Sequence, residues 1–92
     1  MCINNNRINA VEKLLLDCTE LRDLFHPTED YPTYESMVDA SIDWAIDNHN
    51  DERWTLERSA IEEMLYYKMI NFVGIPAAIL RPIYDKLIES VK

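Results

Sequence analysis

The sequence predicts an all-α fold, a compact bundle of about four helices that forms a single helical domain over residues 1–92. The chain contains one glycine, and it has none of the Asn-Gly or Asp-Gly pairs that mark β-hairpins. Apolar residues recur instead at helical spacing in four stretches. Hydrophobic residues make up 48% of the chain and charged residues 28%, which is the composition of a folded protein and excludes a disordered one.

The first helix is predicted from about Arg7 to Phe25, with the asparagines at 4–6 available to cap its first N–H groups. Its apolar residues share one face at 100° per residue. That face consists of Ile8, Val11, Leu14, Leu15, Cys18, Leu21 and Phe25. Two prolines in the stretch HPTEDYPT, residues 26–33, end this helix.

The second helix is predicted from Tyr34 to Asn48, with Thr33 as its N-cap. On a helical wheel its two faces differ in character. The apolar side carries Tyr34, Met37, Val38, Ser41, Ile42, Trp44 and Ala45. The opposite side carries Glu35, Asp39, Asp43 and Asp47. This helix therefore turns one face to the core and presents an acidic face.

The third helix is predicted to begin near Asp51 or Thr55 and to end between Asn71 and Val73. Gly74 suits the left-handed position that follows a helix. From Met64 onward apolar residues point almost all round the wheel, which predicts a central helix or one that faces a partner.

The fourth helix is predicted to be entered through a proline-containing turn. Pro82 disfavours helical backbone at Arg81, so we expect a short turn over 76–80 and the main helix from Pro82. Its buried face is Ile83, Tyr84, Leu87, Ile88 and Val91. The short connections favour neighbouring helices packed antiparallel.

The charge of the protein is concentrated in one segment. Nine carboxylates and no lysine or arginine lie between Asp23 and Glu52. Since the formal net charge is −8, the other 62 residues sum to +1. Because the negative charge comes from one segment, the sequence predicts a localised acidic surface and not an evenly acidic protein.

We call the residues Glu35, Asp39, Asp43, Asp47 and Asp51, which recur at every fourth position, the acidic ladder. Like charges four residues apart cost a helix about 0.2–0.5 kcal/mol for each pair. Their spacing along the axis is about 6 Å, a charge density comparable with that of a phosphate backbone. The ladder therefore predicts a surface that binds a basic protein.

In its strongest form this hypothesis is inhibition by nucleic-acid mimicry, in which the ladder blocks a nucleic-acid-binding protein, a type of inhibitor common in phages and plasmids. Trp44 at the edge of the ladder is the candidate anchor, because interfaces concentrate binding energy in a few aromatic residues. Ile46 lies within the acidic arc. The predicted partner-binding residues are Glu35, Asp39, Asp43, Trp44, Ile46, Asp47 and Asp51.

Three alternatives stay open at this point. The ladder could serve only as a solvated surface that keeps the protein soluble. A homodimer or adaptor could instead associate through the apolar third helix, with Tyr66, Met69, Ile70 and Val73 at the interface. A degenerate helix-turn-helix around Gly74 fits poorly, because the bulky Ile70 precedes the turn, two prolines interrupt the second helix and few cations lie near it. No direct contact with nucleic acid is therefore expected.

The sequence contains no catalytic, cofactor or metal signature. His26 and His49 lie in no catalytic or phosphate-binding motif. The stretch DNHNDERWTLER has Glu52 where a calcium loop needs glycine and Arg58 where it needs glutamate. Cys2 and Cys18 are expected to be reduced thiols. With no predicted signal peptide or membrane span, we expect a cytoplasmic protein that is not an enzyme.

Overall fold

The computed structural model describes residues 5–48 and 55–91, and the side chains among them from residue 10 onward. Every regular element in this part of the chain is helical. The elements are α1 (Asn5–Leu16), α2 (Thr19–Leu24), α3 (Tyr34–Asn48), α4 (Leu56–Glu62), a π-helical segment (Glu63–Val73) and α5 (Ala77–Ser90). The prediction of an all-α bundle of about four helices is confirmed. None of the helices in the described ranges is long and apolar enough to cross a membrane.

The continuous helix over 56–73, made of α4 and the π-helical segment, lies at the centre of the bundle. It packs against α1, α3 and α5. Its side chains Ile61, Met64, Leu65 and Met69 have no exposed surface. The predicted central position of the third helix is therefore confirmed.

The first predicted helix is wrong in one respect, because it divides into α1 and α2 at Asp17 and Cys18. Two side chains donate hydrogen bonds to backbone carbonyls at this break. The Tyr34 hydroxyl donates to the Leu15 carbonyl at 2.6 Å, and the Arg22 guanidinium donates to the Leu16 carbonyl at 2.8 Å. These tertiary hydrogen bonds offset the interrupted helix.

The bounds predicted for the second helix are confirmed by α3. Thr33 caps it as expected, since its hydroxyl accepts from the Ser36 N–H at 3.0 Å. The Ser36 hydroxyl returns the contact by accepting from the Thr33 N–H at 3.2 Å. Both ends of this reciprocal cap satisfy N–H groups that a helix start leaves unpaired.

The third helix begins after Thr55, whose hydroxyl accepts from the Arg58 N–H at 3.2 Å. It ends at Val73, followed by Gly74 in the left-handed region at φ 81° and ψ 26°. The N–H groups of Gly74 and Ile75 both donate to the Met69 carbonyl. The predicted left-handed glycine is therefore confirmed.

The π-helical winding of Glu63–Val73 was not predicted. Hydrogen bonds in a π-helix join residues five apart, so those residues come together on one side. The Tyr67 and Phe72 rings accordingly contact each other with centroids 5.3 Å apart. In an α-helix the same two residues would point about 140° apart. This winding explains why the segment looks apolar all round on an α-helical wheel.

The turn predicted over 76–80 is wrong, because α5 already begins at Ala77 and carries Pro82 inside it. The N–H groups of Ile79 and Leu80 both donate to the Pro76 carbonyl, which starts the helix. Pro82 removes the donor that would bond the carbonyl of Ala78. Ala78 is exposed, so water can bond that carbonyl. Burial of Leu80, Ile83 and Leu87 stabilises the helix despite the proline.

Candidate protein-interaction surface

The acidic ladder lies on the exposed side of α3, as the wheel predicts. The side chains of Glu35, Asp39, Asp43 and Asp47 are all exposed. The remaining member, Asp51, lies outside the described residues. The buried residues of the same helix, including Met37, Val38, Ile42 and Ala45, face the core, so the two faces are separated as expected.

Glu35 differs from the other ladder residues because it has an internal partner. Its carboxylate pairs with the Arg22 guanidinium at 2.7 Å. The hydrogen bond from Arg22 holds the pKa of the Glu35 carboxyl below its ordinary value. Arg22 also lies over the Tyr34 ring at 4.8 Å. The Glu35 carboxylate therefore joins α3 to α2, and its charge is compensated within the fold.

The other aspartates of the ladder have no such compensation from the part of the chain that the structure describes. Within residues 10–48 and 55–91, no lysine or arginine forms an ion pair with Asp39, Asp43 or Asp47. Three carboxylates of α3, spaced about 6 Å apart along the helix, therefore have no ion-pair partner among the described residues.

Trp44 lies at the edge of this row of carboxylates with 42% of its surface exposed. Tryptophan is enriched at the energetic centres of protein interfaces. Ile46, the other apolar residue predicted for this surface, is half-buried and packs against the core. Trp44 is therefore the apolar group of α3 that a partner can reach.

A pocket of about 450 Å³ opens beside Trp44, between α3 and the helix over 56–73. Its lining residues are Trp44, Asn48, Ser59, Glu62, Glu63, Tyr66 and Tyr67. No pattern in the sequence predicts this pocket, because its walls come from two helices. Its aromatic residues Tyr66 and Tyr67 belong to the π-helical segment, in which Tyr67 is exposed while Met64 and Met69 are buried.

A buried ion pair lies next to this pocket. The Lys68 ammonium bonds the Glu63 carboxylate at 2.8 Å, and the two side chains are only 4% and 9% exposed. The same ammonium lies 5.4 Å from the Tyr67 ring and 5.6 Å from the Tyr31 ring. A buried charge pair needs such additional contacts to offset its desolvation. Lys68 therefore ties the pocket wall to the loop before α3.

The Glu62 carboxylate forms the outer acidic group of the pocket. It is half-buried and influences the Tyr84 hydroxyl. Burial is the main cause that raises the pKa of Tyr84, while Arg58 lowers it and Glu62 raises it. Glu62 thus belongs to a polar group at the junction of α4 and α5.

The apolar residues proposed from sequence for a homodimer are not the exposed ones. Met69 is fully buried, and Tyr66, Ile70 and Val73 are half-buried against the core. The exposed aromatic residues of the π-helical segment are Tyr67, at 49%, and Phe72, at 36%. Any apolar contact through this helix would therefore use Tyr67 and Phe72.

No group of three or more metal-ligating side chains occurs in the described ranges. His26 is exposed, while His49 and half of the stretch compared with a calcium loop lie outside those ranges. Comparison with protein-family models, curated proteins and solved structures finds no match for this chain. The surface around Trp44 therefore has to be interpreted from its own chemistry, which is carboxylates beside aromatic rings.

Proposed function

We propose that this protein is a small interaction and inhibitory module that binds a basic protein surface. Asp39, Asp43 and Asp47 supply the charge contacts, and Trp44 supplies the apolar anchor. The observation that carries this proposal is the exposure of Trp44 beside a row of aspartates that have no ion-pair partner among the described residues.

The arrangement costs the isolated helix stability. Two pairs of like charges remain at i,i+4 spacing, and each costs about 0.2–0.5 kcal/mol. Asp47 also lies in the last turn, which contains no basic residue, and there it meets the negative end of the helix dipole. A partner rich in lysine or arginine would relieve both costs, so binding accounts for residues that local stability disfavours.

The preferred partner class is a nucleic-acid-binding protein. Its binding groove is basic and recognises negative charges at the spacing of phosphates. A rigid row of carboxylates about 6 Å apart can occupy such a groove and exclude the nucleic acid. Electrostatic attraction would mainly raise the association rate, and contacts of Trp44 would slow dissociation.

A defined basic probe tests whether the row binds cations as a surface. The probe is a fluorescent twelve-residue peptide of alternating lysine and glycine, and its anisotropy reports binding to wild-type protein. The ladder variant, Asp39→Asn/Asp43→Asn/Asp47→Asn, removes three charges from α3. We expect it to lose roughly 0.6–3 kcal/mol of binding free energy, since each of the three exposed pairs contributes about 0.2–1 kcal/mol.

A second triple variant controls for net charge. Asp17→Asn/Glu20→Gln/Asp85→Asn also removes three negative charges, but from exposed carboxylates that pair with Lys13, Lys86 and Arg81. The proposal requires this charge control to bind the probe much as wild type does. Equal losses in the two variants would show that total charge alone attracts the probe, and would refute a specific surface.

Self-association is a second candidate function, favoured by the exposure of Tyr67 and Phe72. Their rings contact each other, and Phe72 also packs edge-on against Tyr31 at 5.4 Å. Together these three rings form an exposed aromatic cluster. A dimer would bury this cluster and still present one acidic row from each copy.

A further inference from the structure

The pocket beside Trp44 has the walls and charges of a site for a planar cation. Trp44, Tyr66 and Tyr67 contribute aromatic rings, and Glu62 and Glu63 contribute carboxylates. The faces of aromatic rings attract cations through their quadrupole, most strongly at tryptophan. No lysine or arginine is present among the lining residues that the structure describes.

The cations near the pocket already have partners within the fold. Lys68 is 3% exposed and bonds Glu63 at 2.8 Å, so it neutralises the inner carboxylate. Glu62 and Arg58 both lie at the Tyr84 hydroxyl, so Arg58 offsets part of the charge of the outer carboxylate. Asp43 and Asp47 add negative charge on α3, one residue before and three residues after Trp44 in the chain. The field at the pocket mouth therefore favours a positive group.

We infer that this pocket binds one arginine side chain of the basic partner, with its guanidinium stacked on the ring of Trp44 or Tyr67 and bonded to the Glu62 carboxylate. This inference rests on the proposed function and names the residue that the partner inserts. The pocket volume of about 450 Å³ lies in the range of pockets that hold small ligands, so a guanidinium and its aliphatic stem can enter.

Arginine suits the site better than lysine for two physical reasons. Its guanidinium is planar and stacks on aromatic rings, whereas the lysine ammonium is a compact point charge. It is also more weakly hydrated, so it loses less on entering a pocket with aromatic walls. The partner that fits carries an arginine next to further basic residues, which contact the aspartates of α3.

Three peptides test the inference. The first is the alternating lysine and glycine probe, and the others replace one central lysine by arginine or by citrulline, the neutral analogue of arginine. We expect wild-type protein to bind the arginine peptide about fivefold more tightly than the lysine peptide, and the citrulline peptide most weakly. This arginine preference should disappear in Trp44→Ala and in Glu62→Gln.

Matched controls remove similar groups elsewhere. Ile79→Ala truncates an apolar residue of α5 that is 48% exposed, and Asp23→Asn removes an exposed carboxylate of α2. Both controls should keep the arginine preference. In wild-type protein, two-dimensional NMR should show the Trp44 indole signal shifting on addition of N-acetyl-arginine methylamide, a readout that needs no variant.

The outcomes separate this inference from the proposed function. If wild type binds the lysine and arginine peptides equally, or if both pocket variants keep the preference, the arginine pocket is refuted. The acidic row would still stand if the ladder variant loses the lysine peptide. If the arginine preference is present while the ladder variant binds the lysine peptide as wild type does, the pocket is supported and the acidic row is refuted.

Discussion

Single side chains determine how the acidic helix is held against the rest of the fold. Tyr34 begins α3, and its buried hydroxyl donates to the Leu15 carbonyl at the end of α1. Beside it, Arg22 of α2 pairs with Glu35 of α3. The N-terminal end of α3 is thus fixed by two polar contacts, and the aspartates that follow project from a supported helix.

The Tyr34 hydrogen bond makes a prediction for alkaline pH. Tyr34→Phe should lower the free energy of unfolding by about 1–2 kcal/mol at pH 7, because a buried carbonyl loses a donor. Burial raises the pKa of Tyr34 above its ordinary value of 10.0. Above pH 10 the unfolded chain releases the phenolic proton while the folded chain keeps it, so wild type loses stability with rising pH.

Urea unfolding at several pH values measures this effect. The stability difference between wild type and Tyr34→Phe should shrink as the pH rises from 9 to 11. A difference that stayed constant over this range would show that Tyr34 titrates alike in the folded and unfolded chains.

For Glu35 we predict the opposite pH dependence, a loss of folding stability in acid. Arg22 lowers the pKa of the Glu35 carboxyl, so this pair stabilises the fold above the ordinary pKa of 4.5, and the stabilisation is lost as the pH falls through the lowered pKa. Wild type should exceed Glu35→Gln in stability at pH 7 and lose that advantage near pH 2. An advantage that survives at pH 2 would contradict the pair.

These contacts also show which parts of the site the sequence could predict. The exposure of the ladder follows from helical geometry, because residues four apart share a face, and the structure agrees at Asp39, Asp43 and Asp47. The pair of Arg22 with Glu35 joins residues 13 apart across a turn, so no local pattern reveals it. The exposure of Trp44 depends on tertiary packing, which a helical wheel does not contain.

At the scale of elements, the π-helical segment is the feature that a wheel of 3.6 residues per turn cannot predict. The Glu63 and Lys68 side chains meet only because residues five apart lie on the same side of a π-helix. In an α-helix they would diverge by about 140°. The same register brings Tyr67 to Phe72, so the winding creates both the ion pair and the exposed aromatic cluster. The capping residues Thr33, Thr55 and Gly74 were predictable because each acts locally.

The buried pair of Glu63 and Lys68 provides a test of the π-helical register. Lys68→Met or Glu63→Gln alone should lower the free energy of unfolding by about 3–5 kcal/mol, because each leaves a buried charge or polar group without its partner. The double variant should recover much of that loss, since it removes both charges. Denaturant unfolding of the four proteins measures the coupling; additive losses in the double variant would rule out a direct interaction.

At the scale of the whole molecule, the uneven charge opposes self-association. The formal net charge is −8, and copies that approach through α3 would repel one another. We therefore expect a monomer in sedimentation equilibrium at physiological salt and micromolar concentration. A dimer that Phe72→Glu dissociates, while Ile79→Glu on α5 does not, would instead establish the exposed aromatic cluster as the interface.

The composition and spacing of the chain predict a helical molecule with one acidic side, and the structure adds how that side is built. Three aspartates are exposed on α3, and Trp44 of the same helix lines the pocket toward the helix over 56–73. Partner identity depends on matching charges and shapes across two molecules, which no single sequence contains. We propose that the aspartates of α3 and Trp44 together recognise a basic, nucleic-acid-binding protein.

The most direct test of that claim is capture from a lysate of the source cells with three immobilised proteins: wild type, the ladder variant and the charge control, each first shown to be folded by circular dichroism. We expect wild type and the charge control to retain a nucleic-acid-binding protein and the ladder variant to retain none. A DNA duplex added to the resin should release the bound protein. If all three proteins retain the same partners, or if added DNA does not release the bound protein, the aspartates of α3 are not a surface that competes with nucleic acid.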